Sequence, residues 1–412
     1  MFARGRQGLR SAAKPIHAGA MADASPSKAP RLSPVEVEGH RLTVLAEGQE
    51  RLAELIRLID GAKQSLRLLY YMFLDDESGR RVRDALIAAA GRGVDVTLLV
   101  DGFGSDGAKS DFFEALARTK ARFCRFTPRL GRRYLLRNHQ KLAMADGDIV
   151  LVGGFNVADD YFGSVGEGAW RDLGLKVEGP GLACLADYFD NLFKWAQDPK
   201  AKIRTLRRML SSHSHSHGRL HWLFGGPTRR LSPWARAVKN DMMRARRLDM
   251  IAAYFAPSLG MLRRIGGVAA RGGKARVITA ARSDNSATIM AARHNYWRLL
   301  KRGVEIYEYQ PTKLHTKLFV VDDVVHIGSA NFDMRSLYLN LEMMLRVEDA
   351  TFAAQMRTLV DREVADSQPI TRAGYVAWRT PFNRIKWGIA HFLVAILDYN
   401  VTRRLNFGLD GR

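Results

Sequence analysis

Two histidines, His139 and His315, stand in matched surroundings 176 residues apart. Each is followed at two residues by a lysine, Lys141 or Lys317, and at seven by an aspartate, Asp146 or Asp322. Side chains alternate faces along an extended strand, so the His and Lys of each copy leave the same face. A single His-x-Lys is weak evidence, because a core or surface histidine is the commoner case. Two copies in matched contexts are hard to attribute to chance. Such a pair suits substitution at phosphorus: one neutral imidazole attacks, and the other, protonated, gives its proton to the leaving oxygen. The two lysines would hold the non-bridging phosphate oxygens and balance their charge. No cluster of carboxylates accompanies the motif, which fits chemistry without a metal better than a two-metal mechanism.

Each copy continues into small residues and an asparagine, Gly153-Gly154-Phe155-Asn156 and Gly328-Ser329-Ala330-Asn331. Small residues let backbone amides approach a ligand, and an Asn amide can donate to phosphate, whereas the plain alternative is a turn or strand end. Gly154, Asn156, Ser329 and Asn331 are therefore candidate phosphate-binding positions. Downstream lie Asp172, in Trp170-Arg171-Asp172, and Glu342, in Asn340-Leu341-Glu342. Either acid could hydrogen-bond an imidazole nitrogen, fixing its tautomer and supporting its charge, or could be a solvent-facing strand residue. The spacing leaves open which acid would serve which histidine. One asymmetry separates the copies: the glycine follows the aspartate by seven residues in the first (Asp146 to Gly153) and by six in the second (Asp322 to Gly328). A one-residue change flips the faces of a strand unless a turn absorbs it, so the turn at Asp322-Asp323 is expected to be shortened.

The elements that must position these residues alternate. Strands are expected at Leu42 to Leu45, Ser65 to Phe73, Val94 to Val100 and Ala121 to Phe126, with helical spacing in Leu52, Leu55, Ile56 and Ile59, in Val82, Leu86 and Ile87, and in Phe112, Phe113 and Leu116. A strand over Trp170 to Val177 and a helix over Leu182 to Trp195 follow the first motif. The second half repeats this grammar, with helices at Trp234 to Arg246, Ser258 to Ala270 and Thr288 to Lys301 and strands at Leu248 to Phe255, Ala275 to Thr279 and Val304 to Tyr309. Alternation of this kind predicts βαβ crossovers and two similar α/β lobes with mostly parallel mixed sheets flanked by helices. The lobes would face one another and share one active site. The expected division is a basic tail over 1–36, a first lobe over 37–200, a linker over 201–218, a second lobe over 219–368 and a basic, apolar tail over 369–412. The linker is rich in Lys, Arg, Ser and His; its alternating His213, His215 and His217 lack the fixed geometry of a metal site.

Composition narrows the partners. Net charge is +22, a field that attracts polyanions, either nucleic acid or anionic lipid head groups. A basic loop, with Arg129, Arg132, Arg133 and Arg137, delivers the chain into His139. Two cysteines without metal-binding spacing point to a reducing compartment. No apolar run reaches the roughly 18 residues of a membrane span, and the Arg- and Ala-rich start lacks the apolar core of a secretory signal. Trp387 to Leu397 is apolar except for His391 and has basic flanks, so as a helix it would either lie in a membrane interface or pack on its own protein.

His-x-Lys-x4-Asp with the Gly/Ser/Asn segment, twice in one chain, resembles the signature of the phospholipase D superfamily. Within it, Gly328 through Glu342, Tyr71-Met72-Phe73, Leu99 through Gly104 and Gly153 through Asn156 are similar to bacterial cardiolipin synthases without N-terminal membrane helices. The similarity spans Val37 to Asp366. It implies two phospholipase D-type lobes, no cofactor, and transfer of a phosphatidyl group from phosphatidylglycerol to a second phospholipid hydroxyl. His139 would attack phosphorus, forming a phosphohistidine, and His315 would protonate the departing glycerol and then deprotonate the acceptor. Lys141, Lys317, Asn156, Asn331 and Ser329 match phosphate-holding positions, while Asp146 and Asp322 support the site without touching substrate. The implied partner is anionic phospholipid at the cytoplasmic face of the cell membrane, bound peripherally, rather than nucleic acid. Hydrolysis of a lipid or nucleic-acid phosphodiester, or binding without catalysis, are the competing readings.

Overall fold

The computed structural model describes residues 32–108, 110–127, 136–214, 218–228 and 230–397. The sequence features at 1–31, at Arg129, Arg132 and Arg133, at His215 and His217, and beyond residue 397 lie outside the described residues.

Two eight-stranded sheets carry the fold. In the first, the strands are β1 (Val35–Val37), β2 (His40–Leu45), β3 (Ser65–Tyr70), β4 (Asp95–Asp101), β5 (Arg122–Phe126), β6 (Leu142–Ala145), β7 (Ile149–Gly153) and β8 (Gly174–Glu178). In the second half follow β9 (Leu220–Gly225), β10 (Arg247–Ala252), β11 (Phe255–Ala256), β12 (Lys274–Ala280), β13 (Glu305–Tyr309), β14 (Lys317–Val321), β15 (Val324–Gly328), β16 (Phe332–Asp333), β17 (Glu342–Glu348) and β18 (Ser367–Pro369). The first sheet runs β1-β2-β8-β7-β6-β3-β4-β5 and the second β18-β13-β12-β10-β14-β15-β17-β9. Read from opposite ends the two orders coincide, with β2, β8, β7, β6, β3, β4 and β5 matched by β9, β17, β15, β14, β10, β12 and β13. The expected pair of similar α/β lobes is thus present, and both sheets are mixed.

The sheets are not mostly parallel. Among the described residues of the two eight-stranded sheets, only β3–β4–β5 and β10–β12–β13 pair in parallel, each joined through crossover helices, and every other neighbour pair is antiparallel; β11 and β16 form a separate two-stranded parallel sheet. Turn length explains the difference. The three residues 146–148 join β6 to β7, and the two residues Asp322-Asp323 join β14 to β15, connections that only antiparallel strands allow. The shorter second turn absorbs the one-residue difference between the motifs. Gly153 pairs with Gly174 and Gly328 with Met344, so both glycines occupy the same place in their hairpins.

One apolar cluster joins the sheets: Leu69, Met144 and Val152 of the first and Ile251, Val320 and Ile327 of the second belong to it. Two helices, Ala183–Gln197 and Ala350–Ala365, contribute Phe189, Leu192, Phe352 and Leu359 to this shared layer. The outward sheet faces bury Leu66 and Leu68, or Leu248 and Met250, in separate clusters beneath the outer helices. Within 201–218, expected as an exposed linker, Ile203–His213 forms a helix that buries Leu206, Met209 and Leu210. Their i, i+3, i+4 spacing defines one apolar helical face inside an otherwise polar composition.

Candidate active site

The two motifs meet through a reciprocal backbone exchange between lobes. The His139 N–H donates to the Leu341 carbonyl at 2.9 Å, and the Leu341 N–H donates to Arg137 at 2.9 Å. On the other side, the His315 N–H donates to Arg171 at 2.8 Å, and the Arg171 N–H donates to Lys313 at 2.9 Å. Each histidine segment is therefore held against the acid-bearing segment of the opposite lobe.

Side-chain pairing follows this exchange. Nδ1 of His139 lies 3.1 Å from each carboxylate oxygen of Glu342, and Nδ1 of His315 lies 2.6 Å from Asp172 Oδ2. A carboxylate accepts only an N–H, so Nδ1 carries the proton and Nε2 keeps its lone pair. Both acids are buried, which removes the solvent-facing alternative. Asp172 precedes β8 rather than lying in a strand over Trp170 to Val177, and Glu342 opens β17.

The supporting groups differ between the halves. Glu342 accepts hydrogen bonds from the Ser329 and Ser336 hydroxyls. Asp172 Oδ1 accepts the Leu173 N–H, and the buried Arg51 guanidinium holds the Asp172 and Tyr161 carbonyls at 2.6 and 2.8 Å. Burial lowers the Arg51 pKa to about 10. Gly154 occupies the place that Ser329 takes in the other half, and a Cβ there would sit 2.3 Å from Asp172 Oδ1. Gly154 thus leaves room for Asp172, while Ser329 bonds Glu342. Asn156 and Asn331 line the cleft, and the side-chain oxygen of Asn331 has no hydrogen-bond partner among the described residues.

Lys141 and Lys317 are buried, and each ammonium donates to the carbonyl of its own motif histidine. Burial lowers the Lys141 pKa to about 7 and the Lys317 pKa to about 8. Burial, together with the positive charge of both lysines, also holds both imidazoles below their usual range, His315 at about 3. In Asp172 burial acts to raise the pKa, but the interaction with His315 and the charges of Lys317 and Arg51 outweigh it and hold the carboxyl below its usual range. Asp146 and Asp322 lie away from the cleft at the hairpin turns, both with left-handed backbone (φ 53° and 47°). The Asp146 carboxylate accepts the N–H groups of Lys63, Gln64 and Ser65, and Asp322 accepts those of Arg246 and Arg247.

The cleft, about 840 Å³, is lined by both histidines. Aromatic walls that motif spacing did not single out surround them: Tyr71 stands edge-on to His139 at 5.0 Å, and Tyr161 and Trp170 to His315 at 5.2 and 5.1 Å. Tyr71 and Trp170 lay inside quoted motifs, whereas Tyr161 carried no sequence signal. Arg137 and Arg335 place positive charge in the lining, and Asp101 anchors the approach by accepting the Asn138 N–H at 2.7 Å. Among the described residues no group of three His, Cys, Asp or Glu side chains is arranged to hold a metal ion.

Two similar α/β lobes that bring two His-x-Lys motifs to one cleft define a protein of the phospholipase D superfamily. The family described as cardiolipin synthase, PLD-like domain matches residues 55–193 and 238–364. The chain belongs to this family, the phosphatidyltransferase branch of the superfamily. It is 27% identical over 371 residues to a cardiolipin synthase of Listeria monocytogenes, covering 87% of this chain and 76% of that one. It is 29% identical over 379 residues to the major cardiolipin synthase ClsA of Bacillus subtilis, covering 88% and 77%. Among solved structures, phosphatidylserine synthase of Haemophilus influenzae superposes with a TM-score of 0.67 at 16% identity, covering 88% of this chain and 94% of that one, a likeness of fold.

Proposed function

We propose that the chain transfers a phosphatidyl group from phosphatidylglycerol to a hydroxyl of a second phospholipid, releasing glycerol, at the cytoplasmic face of the membrane. The observation that carries this reading is the pair of imidazoles on one cleft, each with Nδ1–H held by a carboxylate of the other lobe. In the first half-reaction Nε2 of His139 attacks phosphorus, forming an N–P bond as the P–O bond to glycerol breaks, and protonated His315 gives its proton to the glycerol oxygen. In the second, neutral His315 takes the acceptor's hydroxyl proton while that oxygen attacks phosphorus and the N–P bond breaks. Glu342 stabilises the charge that His139 gains on phosphorylation. Lys141 and Lys317 supply the positive field for the phosphate oxygens, and Asn156 and Asn331 supply amide donors. The phosphodiester's negative charge offsets the lysine field that depresses both imidazoles, so the proton donor becomes charged in the complex rather than at rest.

Incubation with phosphatidylglycerol vesicles tests the reading. Cardiolipin and glycerol are expected from the wild type, and about 10³-fold less from His139→Ala and His315→Ala. Phosphatidic acid without cardiolipin would overturn transfer in favour of hydrolysis. Cleavage of DNA with no lipid turnover would replace it by a nuclease.

A further inference from the structure

Among the described residues ten large apolar side chains are exposed, and seven of them fall between Val376 and Leu393. Five of these, Phe382, Ile385, Ile389, Phe392 and Leu393, belong to the helix Pro381–His391 and the π-helical turn Phe392–Leu397 that continues it. Spacings of three, four and seven residues set them along one face. The opposite face buries Trp387 and Ala390, so inward packing does not use the outer stripe. Phe382 is 74% exposed and Ile385 64%, an apolar surface that a soluble protein does not leave contiguous without a use.

Beside this stripe lies a second cavity, about 530 Å³, lined by His294, Trp297, Arg298, Arg379, Arg384 and Trp387 among others, with no Asp or Glu in its wall among the described residues. Arg298, Arg379 and Arg384 make no ion pair with a carboxylate among the described residues. The His294 and His391 rings stack at 4.6 Å, and burial with the neighbouring cations holds both imidazoles below their usual range, His391 at about 4. With the imidazoles neutral, the three guanidinium groups of Arg298, Arg379 and Arg384 give the pocket a positive charge suited to an anion. The turn then leads to the catalytic cleft. Ala395 packs on Ala256 and Ala291 next to Met334, whose chain neighbours Asp333 and Arg335 line that cleft.

We propose that the Pro381–His391 helix and its following turn lie in the interface of an anionic bilayer. Phe382, Ile385, Ile389, Phe392 and Leu393 enter among the acyl chains, and Arg298, Arg379 and Arg384 hold a lipid phosphate in the cavity beneath. The inference rests on the reading that the substrate is a phospholipid, and it names the element that holds the cleft at the membrane. Basic flanks beside an apolar stripe complement a negatively charged lipid surface better than a second copy of this cationic chain. At eleven residues the helix is about 16 Å long, suited to lying in the interface and too short to cross a core of about 30 Å.

The test is sedimentation of the full chain with vesicles of phosphatidylglycerol and phosphatidylcholine, or of phosphatidylcholine alone. A combined Phe382→Ser, Ile385→Ser, Ile389→Ser variant is expected to partition about tenfold or more weakly. It should keep the wild-type unfolding midpoint, because these side chains are exposed, and wild-type turnover of a short-chain phosphatidylglycerol dissolved as monomer. Arg298→Gln, Arg379→Gln, Arg384→Gln should lose the preference for phosphatidylglycerol. Wild-type partitioning by the serine variant would overturn the proposal, as would equal binding of both vesicle types by the wild type. So would a change of oligomeric state with vesicle binding intact, which would make the stripe an interface between copies. Helix-dependent partitioning without phosphatidylglycerol turnover would leave this inference standing and end the phosphatidyl-transfer reading. Turnover with helix-independent binding would do the reverse.

Discussion

Burial sets the working pH of the site at the level of single residues. Lys141 and Lys317 are both buried, and loss of hydration, joined at Lys141 by repulsion from Lys317, brings their pKa values to about 7 and 8. A lysine with a lowered pKa is charged below that value and neutral above it. The phosphate-holding charge is thus lost as pH rises through 7 to 8, well before an ordinary lysine would titrate. On the acid side the depressed imidazoles keep the attacking nitrogen unprotonated to a lower pH than a solvent-exposed histidine would. The expected kcat/KM profile on a soluble phosphatidylglycerol is a bell whose basic limb falls between about pH 7 and 8.5. Replacement of Lys141 by Arg, which stays charged, should shift or flatten that limb. A profile level to pH 9.5 would show that the lysines do not hold the phosphate. The His and Lys positions were legible as a spacing, yet their protonation was not, because it depends on burial and on cations brought in from the other lobe.

At the scale of elements, the hairpins β6–β7 and β14–β15 present the motifs, and the aspartate of each motif pins its hairpin to the neighbouring strand. Asp146 accepts three backbone N–H groups around Ser65, the start of β3, from a residue at φ 53°. Alanine there removes the acceptors and places an ordinary side chain in a left-handed conformation that aspartate tolerates better. Asp146→Ala is expected to lower stability by about 1–3 kcal/mol in a urea titration, while kcat per folded molecule stays within a few-fold. A loss of about a hundredfold in kcat at unchanged stability would instead place Asp146 in the chemistry. Helix and strand positions were largely readable from apolar periodicity, and the Asp322-Asp323 turn from the one-residue difference between copies. The proportion of antiparallel pairing was not, since alternation of strands with helices describes only β3–β4–β5 and β10–β12–β13. The hairpins around the motifs obey turn length instead.

The molecule as a whole is required to assemble one site, and this was the least legible level. Asp172 and Glu342 were visible as acids downstream of each motif, but the exchange at Arg171–Leu314 and Asn138–Leu341 that gives each acid to the other lobe's histidine is a tertiary register with no local signal. The same interdependence runs through the core, where Leu69 and Val152 share one cluster with Ile251 and Ile327. A fragment ending at Gln197 would expose that face of its sheet to water, at roughly 25 cal/mol for each Å² of apolar surface. It would also leave His139 without Glu342. Such a fragment is expected to aggregate, to show no cooperative thermal transition and to turn over no lipid, and mixing it with the complementary fragment after separate folding should not restore activity. The intact chain should melt with both sheets in one transition, read by circular dichroism and by hydrogen exchange at β6 and β14 together. Independent cooperative melting of the fragment, or activity from it alone, would mean that each lobe folds and acts without the other, and that the crossed His–carboxylate pairs do not hold the site together.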